Sequence, residues 1–204
     1  MSFTVGLAIF AGALSVSLLS YIRATASEER FIRESILLES AAYTVLAQLA
    51  AGDTIAARAS ADIGGRTVEV LITPTSVRAD LVSDDAATLK SVGSSVGLSI
   101  DPEVTKAAGG LAALSARLGL DASAEDCLRQ AFTYGRGGQT RATSMPRAFA
   151  VAPGDQVDLR VSIRGQSATV LWLRARFTDA QTGWSLHDYR RLQNVTPCKV
   201  QGST

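Results

Sequence analysis

Residues 27–50 read SEERFIRESILLESAAYTVLAQLA, a run with no glycine or proline. Phe31, Leu38 and Val45 recur every seven residues, and Ile32, Ala42 and Leu49 widen them into a stripe. That spacing predicts an amphipathic helix with one face on a partner surface. Gly52 with Asp53 marks its end. Such a stripe is stable chiefly when packed, so the segment requires a surface to lie on.

Reading toward the N-terminus, Phe3 to Ile22 spell FTVGLAIFAGALSVSLLSYI, without a charge until Arg23. This is close to the ~20 residues that a helix needs to cross ~30 Å of hydrocarbon. Gly6 and Gly12 suit close helix approach, and Tyr21 suits an interfacial aromatic. A cleaved signal peptide is the competing reading, with Ala24-Thr25-Ala26 as its cleavage site. The length of the run, the lack of a preceding Lys or Arg, and Arg23 inside the cleavage region favour a retained helix. The expectation is therefore a membrane-spanning segment at 1–22 and an amphipathic stem at 23–52. If 3–50 form one rod, it is about 70 Å long.

Reading toward the C-terminus, the period changes. Gly64-Gly65 separates two apolar runs, the signal for a tight hairpin, after which Val68, Val70 and Ile72 alternate with Thr67, Glu69 and Leu71. Pro74 interrupts, and Val77, Ala79 and Leu81 indicate a third short extended piece. Residues 83–138 read as a small helical insert and linker. Ser83 before Asp84-Asp85 caps a first helix carrying Leu89, Val92 and Val96 to Gly97. Asp101-Pro102 starts a second, with Val104, Leu111, Leu114 and Leu118, weakened at Gly109-Gly110. Ser123 to Asp126 opens a third with a capping-box pattern, and Gly135 to Gly138 is a connector.

The last third alternates strictly: Val157, Leu159, Val161 and Ile163 against Asp158, Arg160, Ser162 and Arg164. That pattern gives a sheet with one apolar and one wet face. Gly165-Gln166 turns the chain into a second strand with Leu171, Leu173, Ala175 and Phe177 on one face, and Gly183 precedes a third, Trp184 to Leu192. Segments 53–82 and 139–204 thus form one antiparallel β domain, and its nearest cover is the Phe31, Leu38, Val45 stripe. The fold class expected is α+β: a long N-terminal membrane-spanning helix packed by an antiparallel sheet, with a small helical insert.

Composition excludes several roles. Among 204 residues, 20 Lys and Arg nearly cancel 19 Asp and Glu, and no stretch gathers the basic side chains that nucleic acid demands. Two cysteines and one histidine are too few for a zinc site, and no metal or other cofactor is expected. Cys127 and Cys198 either form a disulfide, which closes a long loop and places the domain in an oxidising compartment, or are two unrelated buried thiols. Gly93-Ser94-Ser95-Val96-Gly97 satisfies the G-x-S-x-G pattern of a nucleophile elbow, with His187 downstream. That elbow needs a preceding strand in a parallel sheet, whereas here a helix precedes it. Glycines 135, 137 and 138 lack the Lys and Ser/Thr of a phosphate loop. No catalytic residue is assigned, and the chain is not expected to be an enzyme.

The order of parts, an uncharged span running into an amphipathic stem and then a sheet, resembles type IV pilins and the pseudopilins of type II secretion. Ser2-Phe3-Thr4-Val5 looks like the prepilin peptidase junction, which implies cleavage between Ser2 and Phe3. Within that superfamily the chain is most similar to the minor pseudopilin known as the K subunit. Glu39 to Tyr43 resembles the family's stem, Val77 to Leu81 the strand leading into its helical insert, and the alternating sheet its closing strands. Leu7 stands where most pilins carry Glu, an absence characteristic of that tip subunit; a carboxylate without a partner is expensive in lipid. The two-residue leader, Ser for the usual Gly, the short chain and the lack of an Asp-rich calcium loop depart from the family. The resemblance implies a non-enzymatic subunit that assembles with other minor pseudopilins and the major pseudopilin at the pseudopilus tip. It implies processing by prepilin peptidase, an inner-membrane anchor and a periplasmic C-terminal domain. The alternative is a membrane-anchored periplasmic binding domain unrelated to secretion filaments.

Overall fold

The computed structural model describes residues 2–135, 142 and 144–198, with the side chains of 2–20, 22, 106, 149 and 166–168 left out. One helix, α1 (Ser2–Ala50), leads the chain. Strands β1 (Ile55–Ala56), β2 (Arg58–Ile63), β3 (Arg66–Pro74) and β4 (Ala79–Asp80) follow. Four helices come next: α2 (Ala86–Ser95), α3 (Pro102–Lys106), α4 (Leu111–Leu118) and α5 (Ala122–Ala131). The chain closes with β5 (Phe132–Thr133), β6 (Ala148–Phe149), β7 (Gln156–Ile163), β8 (Gln166–Asp179) and β9 (Gly183–Gln193).

Five strands form one antiparallel sheet in the order β2-β3-β7-β8-β9. Gly64 and Gly65 both take positive φ, which a two-residue turn joining twisted strands requires. The apolar face of the sheet packs on α1. Leu38, Ala41, Ala42, Val45, Leu46 and Leu49 meet Val68, Val70, Ile72, Leu159, Val161, Leu171 and Leu173 in one buried cluster. The Trp184 indole N–H also donates to the Leu46 carbonyl, 2.7 Å away, fastening β9 to the helix.

The membrane-spanning part of the expected fold is corrected. Among the described residues, no helix is long and apolar enough to cross a membrane. Along the described side chains of α1, Arg23, Glu28, Glu29, Arg30, Arg33 and Glu34 follow one another at intervals that hydrocarbon does not tolerate. The inner-membrane anchor and periplasmic placement inferred from that span fall with it, as does the anchor in the alternative reading. What stands is an α+β fold with an antiparallel sheet on a long helix.

The insert has its own core, built from Leu81, Leu89, Ile100, Leu111, Leu114, Leu128 and Phe132. The caps lie two residues later than the sequence suggests. Asp85 accepts from the Thr88 N–H and Asp121 from the Ala124 N–H, so Ser83 and Ser123 are not the capping residues. The helix expected across 101–118 breaks into α3 and α4 at Gly109 and Gly110, whose positive φ values end one helix and redirect the chain into the next. Short parallel pairing of β4 with β5 brackets the insert.

The outer face of the sheet differs most from expectation. Its alternating charges predict a wet face, yet Asp158 is only 3% exposed because α5 lies over it. Polar residues that alternate with a core face need not meet water when a second layer supplies their counter-charges.

Candidate functional site

α1 offers two faces. One is spent on the sheet, and of the three stem residues Leu38 and Val45 are buried there. Phe31 is not: it is 37% exposed, with the Arg191 guanidinium 5.0 Å from its ring centroid. Arg191 also donates to Glu39, which accepts from the Tyr189 hydroxyl at 2.6 Å, so β9 grips the helix through a polar cluster. Burial, reinforced by Glu39, pushes the Tyr189 phenol above its ordinary range.

The other face carries Tyr21, Ile32, Ile36 and Tyr43, which are 70, 56, 59 and 50% exposed. At 100° per residue these four fall within an arc of about 60°, turned roughly 130° away from the sheet-packed side chains. Residues 23–33 are all exposed as well, and Glu34 is the first described side chain of α1 to be covered. Ile32, expected in the core stripe, therefore belongs to this second stripe. The 3.6-residue period that located the first face also contains the second. What the sequence does not show is which face the sheet takes.

Between insert and sheet lies a layer of buried ions. Arg78 donates through Nη1 to both Asp158 and the carbonyl of Arg129, and its guanidinium lies 5.1 Å from the Trp172 ring centroid. Arg174 binds Asp158 with two parallel bonds of 2.7 and 2.9 Å. Asp126 accepts from Arg160, from the Trp172 indole and from Gln130. Glu125 takes Arg129 and Arg190. Burial pulls the Arg78 guanidinium down to about 10, against the pull of Asp158, so it stays charged at neutral pH. For Asp158 burial works to raise the carboxyl, but Arg78 and Arg174 together hold it below its ordinary 3.8.

That direction fixes a pH dependence. A carboxyl whose folded pKa is depressed contributes stability that is present above its unfolded value and is lost as pH falls through the folded one. Urea midpoints are therefore expected to decline once pH drops below the ordinary 3.8, and an Asp158→Asn protein is expected to show a flatter acid limb. Equal slopes in the two proteins would contradict this assignment.

The remaining sequence-selected residues are placed as follows. Cys127 and Cys198 are disulfide-bonded. Ser2 begins α1, with Phe3 next to it, and their side chains are not among those described. Ser95 sits at the end of α2, where its hydroxyl donates to the Val92 carbonyl. Gly93 is there for packing, since a Cβ would stand 2.7 Å from the Leu98 carbonyl oxygen. His187 lies on β9, far along the chain and lining a different surface from Ser95. Of the connector glycines, 137 and 138 lie outside the described residues. Among the described residues, no group of three His, Cys, Asp or Glu could hold a metal ion.

Comparison with known proteins returns nothing: no family model, no curated protein and no solved structure matches the chain.

Proposed function

We propose that this chain is a filament-assembly subunit, a minor pseudopilin of a type II secretion system that joins the pseudopilus at or near its tip and serves protein export across the outer membrane. One observation carries the reading: a second apolar stripe, Tyr21, Ile32, Ile36 and Tyr43, on a helix whose sheet cover begins only at Glu34. Isolated helices gain little stability in water, and exposed aligned aliphatic and aromatic side chains gain most by packing on another helix. Stems of sibling minor pseudopilins and of the major pseudopilin are the partners that fit. The sheet and the disulfide-tied insert then form the head, and prepilin peptidase acts between Ser2 and Phe3.

The test is co-assembly. Ile32→Glu with Ile36→Glu adds two charges to exposed positions, so the head is expected to unfold at the wild-type denaturant concentration. Recovery of the protein with sibling subunits is expected to fall about tenfold, the effect of losing one well-packed aliphatic contact. Undiminished recovery of the double variant would sink the proposal. Intact mass of the assembled subunit is expected to correspond to a chain beginning at Phe3.

A further inference from the structure

A cleft of about 460 Å³ opens where the insert meets the outer face of the sheet, lined by Leu111, Ala112, Ala113, Tyr134, Arg174 and His187 together with Asp188. Assembly through α1 makes no use of it. Its lining is unusually rich in donors, for three separable reasons.

The first is a bulge in β9. Asp188 pairs with Arg174 and Leu186 with Ala175, so His187 is the additional residue between them. In a regular strand neighbouring side chains leave by opposite faces, but a bulge re-aims one of them. Here it brings the chain's single histidine and Asp188 to the same cleft.

The second is the start of α4. Its N-cap is Gly110, which has no side chain to accept from the first turn. The N–H groups of Leu111, Ala112 and Ala113 and the positive end of the helix are presented to the cleft instead.

The third is a buried donor with nothing to donate to. Beneath the cleft, Leu111, Arg129, Asp158 and Arg174 line a smaller chamber. Arg129 is only 3% exposed. It gives Nε to Glu125 and Nη1 to Asp188, yet its Nη2 has no hydrogen-bond partner. A buried donor left in that condition costs free energy that an acceptor would recover. Arg174, with Nε and Nη2 given to Asp158, adds positive charge at the cleft wall. The Tyr134 hydroxyl accepts from the Gly109 N–H and keeps its own proton to give. Against these stands one carboxylate in the lining, Asp188, already held by Arg129 at 2.6 Å.

We propose that the cleft is a binding site for a carboxylate, seated at the N-terminus of α4 between Arg174 and His187. A small organic acid and an acidic side chain of a polypeptide both supply that chemistry, and the test separates them. Intact, disulfide-bonded protein is titrated with citrate and, in parallel, with a glutamate-containing pentapeptide, following the amide resonances of Leu111, Ala112 and Ala113. Saturable shifts are expected in at least one titration, and the tighter one identifies the source. Ala113→Glu places a carboxylate at the third position of α4, where it favours the helix. It is expected to weaken binding about tenfold by charge repulsion, with no fall in the unfolding midpoint. His187→Gln, on the exposed bulge, is expected to weaken binding too. Shifts that grow without saturating in both titrations, or affinities unchanged in both variants, overturn the proposal.

Discussion

Replacing Asp158 with alanine is expected to lower the unfolding free energy by about 3–5 kcal/mol, the cost of leaving buried charge without its partner. Asp158 is the shared acceptor of two guanidiniums, Arg78 and Arg174, and all three are nearly excluded from water. Its removal leaves two positive charges facing each other beneath Trp172 and α5. Neither can reach solvent without moving the insert. Urea denaturation measures the loss directly, and the contrast with a surface pair makes it specific. Glu29→Ala breaks a bridge between exposed side chains, and such a change is expected to fall within the ~0–1 kcal/mol typical of surface ion pairs. Similar losses for the two variants would mean that the buried layer is not an energetic weld between insert and sheet.

Loss of the Cys127–Cys198 bond is the second large effect. The bond joins α5 to the segment after β9 across 71 residues of sequence, and the loop-entropy relation gives about 4 kcal/mol for a closure of that length. The tail it fixes is already seated: Val195 packs with Val170, Trp172 and Leu192, and the Thr196 N–H donates to Ser123. A Cys127→Ser, Cys198→Ser protein is expected to unfold at markedly lower urea, and reductant is expected to shift the wild type but not the double variant. A reductant effect of equal size in both would point elsewhere.

The apolar half of this fold was legible because periodicity reports it. Leu38, Val45 and Leu49 follow the helical period, and Val157 to Ile163 the strand period, and each set packs against the other. The break at Gly109-Gly110 was visible as a weakness but not as two helices, since a glycine pair lowers helix stability without dictating the new direction of the chain. Phe31 and Ile32 show a different limit. A helix with apolar residues on two sides tells a reader that two surfaces exist, not which one the sheet will choose. The ionic layer was the least legible part. Asp158, Arg174, Asp126 and Arg129 read as solvated charges along the chain, and only the folding of α5 across the sheet turns them inward. Such pairs meet across 34 to 80 residues, a separation no local pattern encodes.

The parallel pairing of β4 with β5, Ala79 opposite Phe132 and Asp80 opposite Thr133, has a topological consequence. Chain departing from the sheet and chain coming back to it run side by side, about 4.8 Å apart as neighbouring strands do. The doorway is thus of constant width whatever hangs beyond it. Helices α2 to α4 can lengthen, shorten or be exchanged without disturbing a single rung of the five-stranded ladder, provided α5 remains to shield the charges beneath it.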